Sequence, residues 1–395
     1  MRAVKFGVGQ SVARKEDDLL LRGRGRYIAD SAPRGTLCAV VLRSPHAHAR
    51  FRIDATKARS VPGVRLVLRR NRRSRVDCEA LGFRHTSKPA VTTDRRQPRR
   101  GSNATDRSLS SLGHSQPAKA MQQPTPSFLP SIWACRPSAS MLCKGDTDRI
   151  VSGVGTGGSS SIPCGGASLD GAAKKLAENL KALAGETLEA SPKDLEIADG
   201  VVRIAGTDRA VSFAELAQRP DLERRLTATD AFTPPQPTYP NGTHIAEIEI
   251  DPATGATRIA NYVVVDDFGA TLNPLLLAGQ VHGGAVQGIG QALLERAVYD
   301  HYSGQLVTAS LMDYAVPRAD EVPAIAFETC NVRCRHNPLG VKGAGEAGAI
   351  GSCPAVMNAI IDALWRAFRI PHLDMPATSE RIWSAIQDVH RVRAL

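Results

Sequence analysis

Seventy-five consecutive residues, 69–143, carry no sustained hydrophobic period, and this gap divides the 395-residue chain into two foldable pieces of very unequal size. The stretch is rich in Arg, Ser, Pro, Gln and Thr, and its apolar residues are too sparse to build a core. Such a segment cannot bury enough surface to offset its ordering entropy, so disorder is expected there. It holds fourteen Lys or Arg against four Asp or Glu, so its net +10 accounts for nearly all of the chain's +11. The basicity is therefore local and does not describe the surface as a whole. A nucleic-acid-binding arm would want closely spaced stacking aromatics, and only Phe83, Phe128 and Trp133 occur, far apart. Nucleic acid is not the expected partner, although contact of this segment with polyanions stays open.

Residues 1–68 read as folded. Leu37–Leu42 clusters apolar residues as a buried strand would and ends before Pro45. Asp54 is placed to cap a short helix, and Val64–Leu68 reads as a second strand after the Pro62-Gly63 turn. From Lys144 onward order is expected to return. Ser168 or Asp170 can cap a helix with Ala173, Leu176, Leu180, Leu183 and Ala184 on one face and Gly185 as its stop. Leu195–Ile197 and Val201–Ile204, joined through Asp199-Gly200, make a hairpin. Ser212-Phe213-Ala214-Glu215 is a capping box. His244–Ile250 and Thr257–Val265 alternate as paired strands about the turn Asp251–Gly255. Helices are predicted after Asn273-Pro274 and after Cys353-Pro354. Strands and helices follow one another without a strict βαβ rhythm, so the fold class is α+β.

Eight cysteines are scattered without a CxxC pair. Cys330 and Cys334, with His336 beside them, lack the partners that would complete a zinc site. The plant-type iron–sulfur spacing is absent too, so no metal ligand set is expected from these side chains. No stretch approaches the roughly 18–20 uninterrupted apolar residues of a membrane span, and the N-terminus has no apolar run of the signal-peptide kind. The expectation is a cytoplasmic protein.

Three glycine-rich stretches are candidates for chemistry. Gly153–Ser161, reading GVGTGGSSS, could present consecutive N–H groups and hydroxyls to an anion, or could be a flexible linker. It is not a phosphate-binding Walker loop, because the Gly-Lys-Ser/Thr end is missing. Gly279–Gln291 sets Gln280, Gly284, Gln287 and Gln291 on one helical stripe. Each helical glycine costs about 1 kcal/mol relative to alanine, so something packs close to that backbone, either another helix or a polar ligand. The third stretch, Asn337–Gly351, carries Glu346 among small residues. A carboxylate so placed could be desolvated and serve as a general base, or could simply cap a helix.

These three stretches, in this order, resemble the second molybdenum-cofactor domain of the xanthine dehydrogenase and aldehyde oxidase family, with its bacterial aldehyde oxidase and aerobic carbon monoxide dehydrogenase large chains. Gly145–Arg149 with GVGTGGSSS is similar to its cofactor entry segment. GQVHGGAVQGIGQALLE is similar to its glycine–glutamine helix, and NPLGVKGAGEAGAIG to the loop of its catalytic glutamate. VGQSVARKEDDLLLRGRGRYIAD and LRSPHAHARF resemble its small hammerhead domain. The resemblance implies a partial hammerhead-like α/β domain over 1–68, the basic linker over 69–143 and a cofactor-binding α+β domain over 144–395. It implies a molybdenum–pterin cofactor, as molybdopterin or its cytosine dinucleotide. Gly157, Gly158, Ser159, Ser161, Gln280, Gly283, Gly284, Gln287, Lys342, Gly343 and Gly345 would hold it. Glu346 would be the general base in hydroxylating a carbon centre with water as the oxygen source.

Iron–sulfur clusters and FAD would lie on partner chains, a small and a medium subunit, in a dimer of heterotrimers. Two departures accompany the likeness. Ser160 stands where the family has an arginine, which loses a cationic, multi-donor contact. The motifs of the family's first cofactor domain are also absent. The likeness stops near Leu68 and resumes near Lys144, which implies an internal deletion with a shifted reading frame across 69–143. A non-catalytic fragment or binding protein is the alternative that this leaves open, and the substrate is not specified.

Overall fold

The computed structural model describes residues 8–14, 16–25, 30, 35–42, 50, 52–67, 157–198, 200–218, 228 and 230–394. The segment expected to be disordered, 69–143, lies outside them, as do Leu68, Asp199 and residues 144–156. The chain divides into two compact units, one drawing on 1–33, 101–296 and 314–395, the other on 34–100 and 297–313.

The core of the larger unit is a three-stranded sheet, β4 (Asn241–Ile250), β5 (Thr257–Asp267) and β6 (Ile325–Thr329), in the order β4-β5-β6. β4 and β5 are antiparallel as the alternation requires, with His244 opposite Val264. Asp251 shapes the turn between them, its carboxylate accepting from the Ala253 N–H at 3.0 Å and the Thr254 hydroxyl at 2.7 Å. β5 and β6 are parallel, so the chain must cross over, and helix α5 (Pro274–Leu293) lies in that connection. Asn273 caps α5 by accepting from Leu276 N at 3.3 Å, and Pro274 occupies the first turn, where no N–H is needed.

One face of the sheet is covered by α5 and by α6 (Ala347–Phe368), with α7 (Ser379–Ala394) completing the layer. Tyr262, Val264, Ile289, Val356, Ile360 and Ile386 are at most 1% exposed at its centre. Truncating a side chain such as Ile360 to alanine there costs about 2–5 kcal/mol. By length and composition α6 could cross a membrane, but its apolar stripe Val356, Ile360 and Leu364 is already spent in this core.

A smaller layer precedes it. Helix α3 (Ala167–Leu188) packs Leu180, Leu183 and Ala184 onto the antiparallel strands β1 (Leu195–Ala198), β2 (Val201–Ile204) and β3 (Ala210–Ser212). The expected hairpin is present in the register Leu195↔Ile204, and β3 extends it. The capping box opens α4 (Phe213–Ala217), with Glu215 N donating to Ser212 Oγ at 3.1 Å and Ser212 N to Glu215 Oε2 at 2.7 Å.

Five expectations are corrected. Leu37–Leu42 and Val64–Val67 form no strand, and Val40 and Leu42 are 96% and 94% exposed; an apolar run becomes a strand only when a neighbour takes its backbone groups. After α1 (Asp17–Leu21), the short helix expected near Asp54 is present as α2 (Thr56–Arg59), but Ala55, not Asp54, is its N-cap: Asp54 sits one residue outside and accepts from Thr56 N at 2.9 Å. Ser168 and Asp170 do not cap α3. A π-helical turn, Ser161–Gly166, precedes it, and both side chains are buried inside the helix. There Ser168 Oγ accepts from Phe232 N at 3.0 Å and Asp170 pairs with Lys174 at 2.8 Å.

Gly185 does not stop α3, which runs on to Leu188 and ends at Glu189 in the left-handed region. A side chain at 185 would meet the Ala190 carbonyl at 2.7 Å, so close approach explains that glycine. Finally, α6 begins seven residues before Pro354 and contains it. The missing N–H costs the helix its bond to the Ile350 carbonyl, on a residue that is exposed.

Candidate functional site

The first glycine run arrives at the site through a tight turn. Gly158 and Ser159 are consecutive left-handed residues, φ 56° and 52°. Ser160 closes the turn, its N–H and its hydroxyl both reaching the Gly157 carbonyl, at 3.3 and 2.7 Å. A left-handed serine costs roughly 1–2 kcal/mol, so its surroundings must hold it there.

Those surroundings are the third glycine run. Ser159 Oγ donates to Glu346 Oε2 at 2.7 Å, and Glu346 N donates to Ser159 Oγ at 3.2 Å. A side chain on Gly343 would overlap the Ser159 backbone, and one on Gly345 would stand 3.1 Å from Ser159 Oγ. The glycines thus let this loop lie flat against the serine. Glu346 occupies the N-cap position of α6, but its carboxylate does not cap the helix. The first amides of α6, which have no partner within the helix, and its positive dipole end lie beside the loop.

The loop is held from behind as well. The buried Asn337 side chain donates to the Val341 carbonyl at 2.8 Å and accepts from Val341 N at 3.2 Å. Gly343 N donates to Thr238 Oγ1 at 3.1 Å. Lys342 turns inward to Asp267 Oδ2 at 2.6 Å. Burial pushes the Asp267 carboxyl up, but the Lys342 ammonium and the Val332 and Gly269 amides together hold it below the usual aspartate value.

The glycine–glutamine helix supplies the third side, and the helix-packing reading of its glycines holds for two of them. Gly284 and Gly288 face α6, where a side chain would come within 3.0 Å of Ala349 N and Cys353 N respectively. Gly348 of α6 answers them, since a side chain there would overlap the Val281 carbonyl. Gly279 and Gly283 have open space around them, as do Gly157 and Gly158. Gln280 Nε2 donates to the Gly345 carbonyl at 3.1 Å, which joins α5 to the loop of Glu346. Gln287 is exposed, and Gln291 accepts from the Cys353 thiol at 3.3 Å.

Of the residues singled out in the sequence, Ser159, Gln280, Gly343, Gly345 and Glu346 are brought together. Gly157 and Gly158 adjoin them in the same turn, and Ser161 opens the π-helical turn beyond. Gly283 and Gln287 lie on the open part of α5, Gly284 is taken up by helix packing, and Lys342 by Asp267. The desolvation expected for Glu346 is not supplied, because its side chain is exposed: the glycines and alanines around it have too little bulk to cover a carboxylate. Sequence reading missed Asp267, Asn337 and Thr238. An aspartate pair directly after an apolar strand, before Phe268-Gly269, was the available signal for the first. Among the described residues no three His, Cys, Asp or Glu side chains gather as a metal site.

The donor set suits a neutral, amide-edged heterocycle. It offers one primary amide, hydroxyls, backbone groups made accessible by four open glycines, and one carboxylate. Among these site residues Lys342 is the one cation, and Asp267 neutralises it, so phosphate groups would depend on backbone N–H groups in this wall.

Residues 135–323 match the family model described as molybdopterin cofactor-binding domain. The chain is 37% identical over 255 residues to the 6-hydroxypseudooxynicotine dehydrogenase complex subunit gamma of Paenarthrobacter nicotinovorans, covering 62% of this chain and 32% of that one. It is 34% identical over 252 residues to the carbon monoxide dehydrogenase large chain of Hydrogenophaga pseudoflava, covering 62% and 31%. Among solved structures it resembles carbon monoxide dehydrogenase from Oligotropha carboxidovorans, with a TM-score of 0.63 at 30% identity over 71% of this chain and 35% of that one. It also resembles quinoline 2-oxidoreductase from Pseudomonas putida 86, with a TM-score of 0.59 at 34% identity over 68% and 35%. The chain spans about a third of the length of the curated relatives it matches.

Proposed function

We propose, from the match of residues 135–323 to the molybdopterin cofactor-binding domain model, that this chain forms one wall of the cofactor site in a molybdenum hydroxylase large subunit. The observation that carries this reading is the convergence of three separate glycine-rich segments, through Ser159 on Glu346 and Gln280 on Gly345. None of the three is near another in sequence, and all present small or amide-bearing residues to one place.

In this reading the Gln280 amide and the backbone of Gly157–Ser159 hold the pterin edge, with Gly279 and Gly283 leaving room for it along α5. The molybdenum–pterin group, when bound, supplies the two-electron redox centre. Glu346 is the general base. Ser159 holds Oε2, which leaves Oε1 of this exposed carboxylate to take a proton from the water-derived oxygen. An exposed carboxylate is a weak device in open water, so the hydroxylase needs a second wall to exclude solvent. That wall, together with the iron–sulfur and FAD-bearing subunits, is expected from outside the described residues. Soluble, cytoplasmic assembly with those partners follows the same reading.

The test is metal and pterin content. The chain is expressed in a host that makes the molybdenum cofactor, purified, and assayed by mass spectrometry. Near-stoichiometric molybdenum that is lost in Gln280→Ala and kept in Glu346→Gln is the expected result. A folded chain without molybdenum or pterin would overturn the reading.

A further inference from the structure

Asp267 stands at the end of β5 and gathers three stretches of chain. Its Oδ1 accepts from Gly269 N at 2.8 Å and Val332 N at 3.0 Å, and its Oδ2 accepts from Lys342 Nζ at 2.6 Å. Lys342 also reaches Asn241 Oδ1, at 3.3 Å, on the neighbouring strand. The two side chains are 14% and 8% exposed, so the pair is shielded from solvent screening. Around it the backbone runs as a short ladder, Lys342 N to Phe268 O at 2.8 Å and Ala270 N to Gly340 O at 2.7 Å. Gly269 is left-handed, φ 68°, and a side chain there would overlap the Gly340 carbonyl, so the ladder admits no looser register. Four residues after Lys342 the chain reaches Glu346.

We infer that the Asp267–Lys342 ion pair positions the loop that carries Glu346, and that Lys342 is committed to the protein and not to a bound anion. The role as a positioning pair for a base rests on the proposed function; the mechanical claim does not. Removing either partner leaves the other buried and unpaired, which frees the loop from its anchor. Asp267→Asn keeps the Oδ1 acceptor for the two amides and removes only the ionic bond, so it isolates the pair.

The experiment is hydrogen–deuterium exchange read by mass spectrometry on wild type, Asp267→Asn, Lys342→Met, the double variant and Lys342→Arg, with molybdenum content measured in parallel. Each single variant is expected to speed exchange over residues 343–350 by about tenfold or more, the scale of a lost charged hydrogen bond, with residues 195–216 unchanged. The double variant should be no faster than the singles, and Lys342→Arg should restore protection. Unchanged exchange in Lys342→Met, multiplying effects in the double variant, or Lys342→Arg as fast as Lys342→Met would each overturn the inference. So would loss of molybdenum from Lys342→Met with the loop still protected, because that marks a cofactor ligand. If the Met variant does not fold, Asp267→Asn against wild type decides, and unchanged exchange over residues 343–350 in it would overturn the inference. A wild type without molybdenum refutes the proposed function, and the exchange result still judges the pair.

Discussion

Ser159 and Glu346, 187 positions apart, clasp one another in both directions: the serine hydroxyl donates to the carboxylate at 2.7 Å and accepts the glutamate N–H at 3.2 Å. The clasp is what holds a serine in the left-handed region. Ser159→Ala and Ser159→Gly both lose the hydroxyl, but only alanine keeps the backbone penalty. Alanine is therefore expected to be less stable than glycine at 159 by about 1 kcal/mol in urea unfolding. Equal stabilities would show that the left-handed backbone costs nothing there.

The packed side of α5, met by Gly348 of α6, and its open side at Gly283 should respond oppositely to alanine. Gly348→Ala drives a methyl into the Val281 carbonyl and is expected to cost about 1–3 kcal/mol. Gly283→Ala adds helix propensity in open space and should stabilise by up to about 1 kcal/mol. If the open face takes the pterin, the same Gly283→Ala protein should lose molybdenum while melting higher than wild type. Thermal melting beside metal analysis reads both effects in one preparation.

Asn273 does two tasks with one buried amide. It caps α5, and its Nδ2 donates to the Val12 carbonyl at 3.0 Å, which pins the segment 8–14. Asn273→Ala is expected to cost about 2 kcal/mol, the sum of a cap and a tertiary hydrogen bond. Exchange at residues 8–14 should rise in that variant, and unaltered protection there would show the Val12 bond to be incidental.

The Asp267 carboxyl is held below its usual value, which fixes the sign of a pH effect. A depressed acid stabilises the fold fully above its unfolded value of 3.8 and loses that contribution as the pH falls through the lower folded value. The stability gap between wild type and Asp267→Asn should hold constant from pH 7 to pH 5 and close only below 3.8. Urea titrations across that range measure it; a gap that closes above pH 5 would mean the pair contributes through something other than ionisation.

Local rules carried a large part of the fold into the sequence. The capping box at Ser212 and Glu215, the Asn273-Pro274 helix start, the Asp251 turn and the hairpin of β1 and β2 each depend on contacts within a few residues. The three glycine runs were visible for the same reason, because backbone freedom is written residue by residue.

Partners that meet across long separations were decided only in three dimensions. Leu37–Leu42 has the composition of a strand, yet a strand exists only where another takes its N–H and C=O groups. The stripe Gln280, Gly284, Gln287 and Gln291 could not say which glycines would face α6 and which would stay open, because that depends on where a second helix crosses. Lys342, which the resemblance gives to the cofactor, is taken by Asp267, 75 residues away. Charge, turn and cap are properties of short segments. Pairing and burial belong to the folded chain, since only tertiary packing sets the distance and the dielectric between two groups remote in sequence.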